Sequence, residues 1–189
     1  MSGWPVEFDG IAETVTLTPD PNDRWNVAAL GVHAGSLATA RTWGRTVTRR
    51  NFERTGAGRV LFVDDPVLFV EAALTERKLD DPPPEGAAAT VSVDVTEIDR
   101  GSEGGTTWVE WALRPTGSRI HRETVPVTNR GFNAIVEMTV AASRLDVPAY
   151  DDAVLEDRLQ YFEEVVHSCG GAAERRALEL IDEVVDRHP

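Results

Sequence analysis

The sequence predicts an α+β protein, an antiparallel β-barrel followed by a helical C-terminal segment, and three observations predict it. Thr90 to Ile98 alternates Val91, Val93 and Val95 with Ser92, Asp94 and Thr96, and Thr107 to Arg114 alternates in the same way, which is the two-residue period of half-buried strands. The shorter apolar runs before them are separated by turn signals and two small helices, not by the regular helices of βαβ units. Beyond about Asn129 the apolar residues recur with helical spacing instead.

Taken in order, Phe8 to Leu17 mixes apolar positions with threonine and glutamate as a first strand, closed by the turn signal Pro19 to Asp23. Trp25 to Val32 is a second, largely apolar strand containing Gly31. Ala34-Gly35-Ser36 turns it into a third, Leu37 to Trp43. Gly44 breaks that hairpin. Thr46 or Thr48 can then cap a short helix running to about Arg54 and ended by Gly56 and Gly58. Arg59 to Val63 reads as a buried strand. Asp65 caps a helix whose first residue is Pro66, where the missing N–H costs nothing. Glu76 to Glu85, charged and containing Pro82 to Pro84, reads as a surface loop, and Gly101 to Gly105 as the turn between the two alternating strands. Three helices follow, around Phe132 to Leu145, Leu155 to Val166 and Ala177 to Val185, with Pro148 and Gly170-Gly171 between them. The expected division is a barrel over 1–128 and a helical segment over 129–189.

With 189 residues, 41% of them hydrophobic, the chain can bury a core without staples. Cys169 is the only cysteine, so no intrachain disulfide framework is expected and a reducing cytoplasm is the expected compartment. No basic, apolar leader opens the sequence and no window approaches the roughly twenty apolar residues of a membrane span, so no membrane partner is expected. A formal net charge of −13 also argues against nucleic acid, whose phosphates are bound by neutralisation. Lys78 is the only lysine among 19 basic residues against 32 acids, a composition that fits adaptation to high salt, although a GC-rich genome could also supply the arginine bias.

Motifs for the common hydrolase, zinc, nucleoside-triphosphatase and Rossmann chemistries are absent, and His33, His121, His167 and His188 are scattered, so no metal site is expected. A lone Cys169 is expected to be packed, and Trp25, Trp43, Trp108 and Trp111 are expected in the core before they are expected at a ligand. The positive signal is local. Arg41, Arg45, Arg49, Arg50 and Arg54 fall within one short stretch in which Glu53 is the only acid. Thr46, Thr48, Arg49 and Asn51 have the types and spacing to hold a phosphate at a helix N-terminus, where backbone N–H groups and the dipole favour an anion. The same arginines could instead pair with acids from elsewhere in the chain, and residue types leave both readings open.

WNVAALGV at Trp25 to Val32, the hydroxyl-rich link to Asn51-Phe52, and VLFVDDPVLFVEAAL at Val60 to Leu74 together resemble the flavin-binding split-barrel proteins of the domain-of-unknown-function family 447. That family's pattern is an Asn-Ala-Ala/Pro-x-Gly-Val strand, a Gly-Ser-x-Thr-x-x-Asn-Leu segment and a Val-x-x-Asp-Pro-x-x-Phe segment. NRGFNAIVEMTVAASRL at Asn129 to Leu145 and SCGGAAERRALELI at Ser168 to Ile181 extend the likeness over nearly the whole chain. The resemblance implies a six-stranded antiparallel split barrel of Greek-key type, related to the flavin reductase and pyridoxamine-phosphate-oxidase-like barrels. It implies flavin mononucleotide (FMN) as cofactor and a homodimer with FMN at its interface. By position it places Asn26 and Gly31 beside the isoalloxazine ring, Thr46, Thr48 and Asn51 around the phosphate, and Arg130 near the cofactor; Arg41 and Arg49, from the cationic stretch, complete the expected cofactor-binding set. Two departures stand out: Arg49 replaces the usual aromatic, and one extra residue follows Gly44. An oxidoreductase of this kind needs no protein acid, base or nucleophile, since the flavin carries the redox chemistry. The other readings are a deazaflavin-dependent oxidoreductase and a non-catalytic module that binds a flavin or another phosphorylated ligand.

Overall fold

The computed structural model describes residues 3–81 and 85–186. In chain order its elements are β1 (Ile11–Pro19), β2 (Trp25–His33), β3 (Ala38–Trp43), α1 (Val47–Thr55), β4 (Ala57–Val63), α2 (Pro66–Leu74), β5 (Arg77–Leu79), β6 (Ala87–Glu103), β7 (Thr106–Ile120), α3 (Arg130–Ala142), α4 (Asp152–Cys169) and α5 (Ala172–Val185). They fall into two compact units. One holds the strands and α1, within Met1–Asp64 and Arg77–Glu123; the other holds α2 together with α3, α4 and α5, within Asp65–Glu76 and Thr124–Pro189. Among the described residues no helix is long and apolar enough to cross a membrane.

In the strand unit the sheet order is β1-β4-β6-β7-β3-β2-β5, and a further β1–β2 pairing closes six of the strands into an antiparallel split barrel, with β5 added on β2. The alternation seen in the sequence becomes an inside and an outside. Val91, Val93, Val95, Val109, Trp111 and Leu113 point into the barrel core with Leu30, Val32, Ala40 and Val60. Phe52 from α1 joins them at 2% exposure, its ring 5.4 Å from that of Trp111, and a side chain of this size gains about 1.5–3 kcal/mol from such burial. Gly56 ends α1 in the left-handed conformation, φ 59°, and its N–H donates to the Phe52 carbonyl. Phe62 packs edge-on with Trp4 and Phe8, so Phe8, expected in the first strand, precedes it.

Two further boundaries depart from expectation. Within the predicted loop Glu76 to Glu85, Arg77–Leu79 is a strand that pairs with Trp25–Val27 of β2; Pro82 to Pro84 lie outside the described residues. The predicted turn over Gly101 to Gly105 is shorter, because β6 continues to Glu103 and pairs down to Thr106, leaving the turn to Gly104 and Gly105, both at positive φ.

The helical unit has its own core of Val70, Ala134, Ile135, Met138, Val166, Ala177, Leu178 and Ile181. Asp65 caps α2 as expected, its Oδ1 accepting from the N–H of Val67 at 2.9 Å and of Leu68 at 3.4 Å. The two C-terminal sequence stretches quoted above meet here. Asn129 accepts from the Gly131 N–H and donates to buried Glu174, which also accepts from the Gly171 N–H, each at 2.8 Å. Gly131 lies against Gly170 so closely that a Cβ on it would sit 2.6 Å from the Gly170 Cα. Cys169, expected to be packed, is instead exposed, because α4 ends there and the chain turns at Gly170.

Candidate functional site: the N-terminus of α1

Gly44, at φ 67°, turns the chain out of β3, and its N–H donates to the Thr107 carbonyl at 2.7 Å. Thr46 then holds the N-cap position in extended conformation, and its Oγ1 accepts from the Arg49 N–H at 3.2 Å. The N–H groups at the start of a helix have no carbonyl one turn back, so α1 presents donors here, and its first turn carries no acid.

Beneath this helix end lies a floor of buried polar side chains. Thr48 and Asn51 are one turn apart and share a face. Thr48 Oγ1 accepts from Asn26 Nδ2 at 3.4 Å, and Asn51 Nδ2 donates to Thr18 Oγ1 at 3.0 Å. Thr18 and Asn26 are themselves opposite each other in the β1–β2 register, so all four groups converge on the end of the barrel that α1 covers. A hydroxyl has one hydrogen to donate besides its acceptor sites. Thr46 and Thr48 both use the oxygen as acceptor within the protein, and each keeps its hydrogen for a further partner.

The arginine stretch divides. Arg41 pairs with Glu110 at 3.2 Å and lies 4.1 Å from the Trp108 ring centroid. Arg49 pairs with Glu53 at 3.1 Å and donates from Nη1 to the Gly44 carbonyl at 3.1 Å and to Thr107 Oγ1 at 3.2 Å, which fastens the entry to α1 onto β7. Arg54 donates to the Pro19 carbonyl. Arg45 and Arg50 are exposed, and their side chains have no ion-pair or hydrogen-bond partner among the described residues. The stretch is thus partly a paired surface, with two guanidinium groups left unengaged.

On β2, Asn26 belongs to the floor, whereas Gly31 lies on the outer face, opposite Glu13 in β1. A Cβ on Gly31 would come within 3.1 Å of Ile11 Cγ2. Along its second edge β2 pairs with β5 over Trp25–Val27 and with β3 only at Val32 and His33, so no strand pairs with Ala28–Gly31 on that side among the described residues. Free backbone donors and acceptors along a strand edge can serve a planar ligand with polar edges. Arg130, in the helical unit, is the exposed first residue of α3.

Beside the floor, Lys78 stands opposite Asn26 in the β2–β5 register and donates to Asp20 at 2.9 Å. That hydrogen bond holds the Asp20 carboxyl down to about 2; burial opposes the shift, and the Asn22 and Arg24 N–H groups add to it. Thr18, Thr107 and the Asp20–Lys78 pair are not among the residues the sequence singles out. The signal for Thr18 is the alternation of Thr14, Thr16 and Thr18 with Val15 and Leu17 in β1, where all five side chains are buried. Of the tryptophans, Trp111 is in the core as expected, its Nε1 donating to Thr42 Oγ1 at 2.9 Å, while Trp43 is 43% exposed.

The profile described as "Protein of unknown function (DUF447) N-terminal domain" matches residues 12–122, and that described as "Protein of unknown function (DUF447)" matches residues 129–183. No curated protein matches the chain. Among solved structures, an FMN-bound protein from Methanosarcina mazei aligns with a TM-score of 0.79 at 24% identity, over 94% of this chain and 96% of that one. An FMN-binding protein from Thermus thermophilus with bound 1-cyclohex-2-enone aligns at 0.45 with 11% identity, over 64% and 75% of the two chains. The flavin reductase PheA2 aligns at 0.41 with 18% identity, over 60% and 81%. At these identities the likeness concerns the fold.

Proposed function

Starting from the fact that this chain belongs to the DUF447 family, we propose that it binds FMN, with the phosphate at the N-terminus of α1. The observation that carries the reading is the capped helix end over the Thr18–Asn51 and Asn26–Thr48 floor, with two threonine hydrogens still to be donated. The FMN-bound neighbour of the same fold supports it. The donor set fits a phosphate monoester: backbone N–H groups of the first turn, the Thr46 and Thr48 hydroxyls, and Arg45 and Arg50 as unpaired cations.

In this reading the site residues divide their work. Thr48 and Thr46 hold the phosphate, Asn26 and Asn51 fix the threonine and the helix from below, and Arg49 fixes the loop that precedes the helix. Gly31 and the unpaired edge of β2 leave bare backbone for the ring. Bound flavin supplies hydride and electron transfer, and the chain supplies binding and orientation, as an oxidoreductase whose donor and acceptor are open. The functional species is a homodimer.

The test is direct. The purified protein is expected to show a flavin absorption spectrum or to acquire one with added FMN, and native mass spectrometry identifies the ligand and the dimer. A protein that stays colourless and takes up no FMN sinks the proposal; a bound deazaflavin replaces the cofactor, and bound FMN that no donor reduces leaves a binding module. Thr48→Ala is expected to weaken FMN about tenfold more than riboflavin. Equal losses would place the phosphate elsewhere.

A further inference from the structure

β3 and β7 carry a second arrangement on the outer face of the barrel. Ala40, Thr42, Val109 and Trp111 are buried toward the core, so the residues between them, Arg41, Trp43, Trp108 and Glu110, face outward. Trp43 and Trp108 are direct partners in the register, as are Arg41 and Glu110. The Trp108 ring lies against the backbone of Gly101 on β6, where an added Cβ would be 2.6 Å from Cζ2. The Arg41 guanidinium sits 4.1 Å from the Trp108 ring centroid and 5.9 Å from that of Trp43, with Glu110 holding it at 3.2 Å. Gly101, Trp108 and Arg41 therefore form an ordered series held from below, and Trp43, 43% exposed, is its open member.

This face is joined to the α1 site through covalent neighbours. Trp43 is followed by Gly44, and Trp108 is preceded by Thr107. The Gly44 N–H donates to the Thr107 carbonyl, and Arg49 donates to both the Gly44 carbonyl and Thr107 Oγ1. One arginine of the phosphate end thus fixes the two strand ends from which the indoles project. An exposed indole stacks on a planar, electron-poor ring, and a neighbouring guanidinium donates to the electron-rich oxygens at such a ring's edge.

We propose that Trp43, positioned by Arg41 and Trp108, is the aromatic contact for the isoalloxazine ring of the ligand whose phosphate α1 holds. The inference rests on the FMN reading above and adds a ring-binding wall on β3, across from the bare edge of β2. The paired guanidinium and the fixed indole make the wall preorganised, so its contribution falls on the ring and is independent of the phosphate.

Wild type, Trp43→Leu and Trp43→Phe are titrated with FMN and with riboflavin, following flavin fluorescence, and sized by native mass spectrometry. The expected result is strong quenching in wild type, with Trp43→Leu losing about tenfold in affinity for both flavins, equally, and most of the quenching. Trp43→Phe is expected to recover most of the affinity. Unchanged affinity and quenching in Trp43→Leu would overturn the proposal, as would a variant whose only change is its oligomeric state, which would make this face a protein contact. If wild type binds FMN no tighter than riboflavin and Trp43→Leu still weakens both, the phosphate assignment fails and the ring wall stands. Absence of any flavin binding by wild type removes both.

Discussion

Asn51 donates from Nδ2 to Thr18 Oγ1 across 3.0 Å, between two side chains that are 4% and 0% exposed, and so ties the helix that covers the barrel to the strand that begins it. Removing one partner leaves the other buried without a hydrogen bond, which is costlier than removing both. Asn51→Ala is expected to lower unfolding stability by about 1–3 kcal/mol in urea titrations. The Thr18→Val, Asn51→Leu pair is expected to cost less than the sum of the single changes; strict additivity would mean the bond contributes nothing to the coupling of α1 and β1.

Asp20 gives the strand unit an acid limit. Its carboxyl titrates at about 2 instead of 3.8 because Lys78 donates to it. A carboxyl lowered on folding contributes fully above its unfolded value and is lost as the pH falls through the folded one. Stability is therefore expected to fall between about pH 4 and pH 2, and Asp20→Asn, followed by thermal unfolding at each pH, is expected to flatten that fall while lowering stability at pH 7.

Salt dependence separates the free arginines from the paired ones. Arg45 and Arg50 are exposed and unengaged, so their attraction for a phosphate is screened by added salt. Arg45→Ala and Arg50→Ala are expected to weaken FMN several-fold at 50 mM salt and little at 1 M, with riboflavin unaffected. Arg49→Ala is expected to weaken both flavins at either salt concentration, since it releases the Gly44 turn.

Gly131 tests the helical unit. Its missing side chain admits the Gly170 backbone, where a Cβ would meet Cα at 2.6 Å and N at 2.9 Å, and neither atom can rotate away. Gly131→Ala is expected to cost about 1–3 kcal/mol, read by denaturant unfolding, whereas Gly117→Ala, with open space around it, is expected to change little.

The parts of the fold that could be read from the sequence are those set by local period. Val91, Val93 and Val95 announce their strand because each alternate side chain meets the same apolar interior. β5 could not be read in this way: Arg77-Lys78-Leu79 has no alternation worth the name, and it is a strand only because the edge of β2 at Trp25–Val27 lies beside it. The reach of β6 past Gly101 is hidden for a similar reason, since the glycine that reads as a turn is the flat seat of Trp108. At the site, Thr46 is visible as a cap and Arg49 and Asn51 as part of a motif, but Thr107, which accepts from Arg49, and Thr18, which accepts from Asn51, are distant in sequence and acquire meaning only from register. The arginine stretch is ambiguous for a physical reason: whether a guanidinium is free depends on acids that arrive from other strands, as Glu110 does for Arg41 and none among the described residues does for Arg50.

Lys78 has a practical consequence beyond its part in the Asp20 pair. It is the chain's only lysine, its side chain is 40% exposed, and it sits on a three-residue strand held against β2 beside Asn26. Acylation by an amine-directed reagent therefore labels one side chain, and the extent of labelling there reports whether the Lys78–Asp20 hydrogen bond beside the polar floor is made. The lone lysine makes the protein its own side-chain probe of that contact, with no residue to be added or removed.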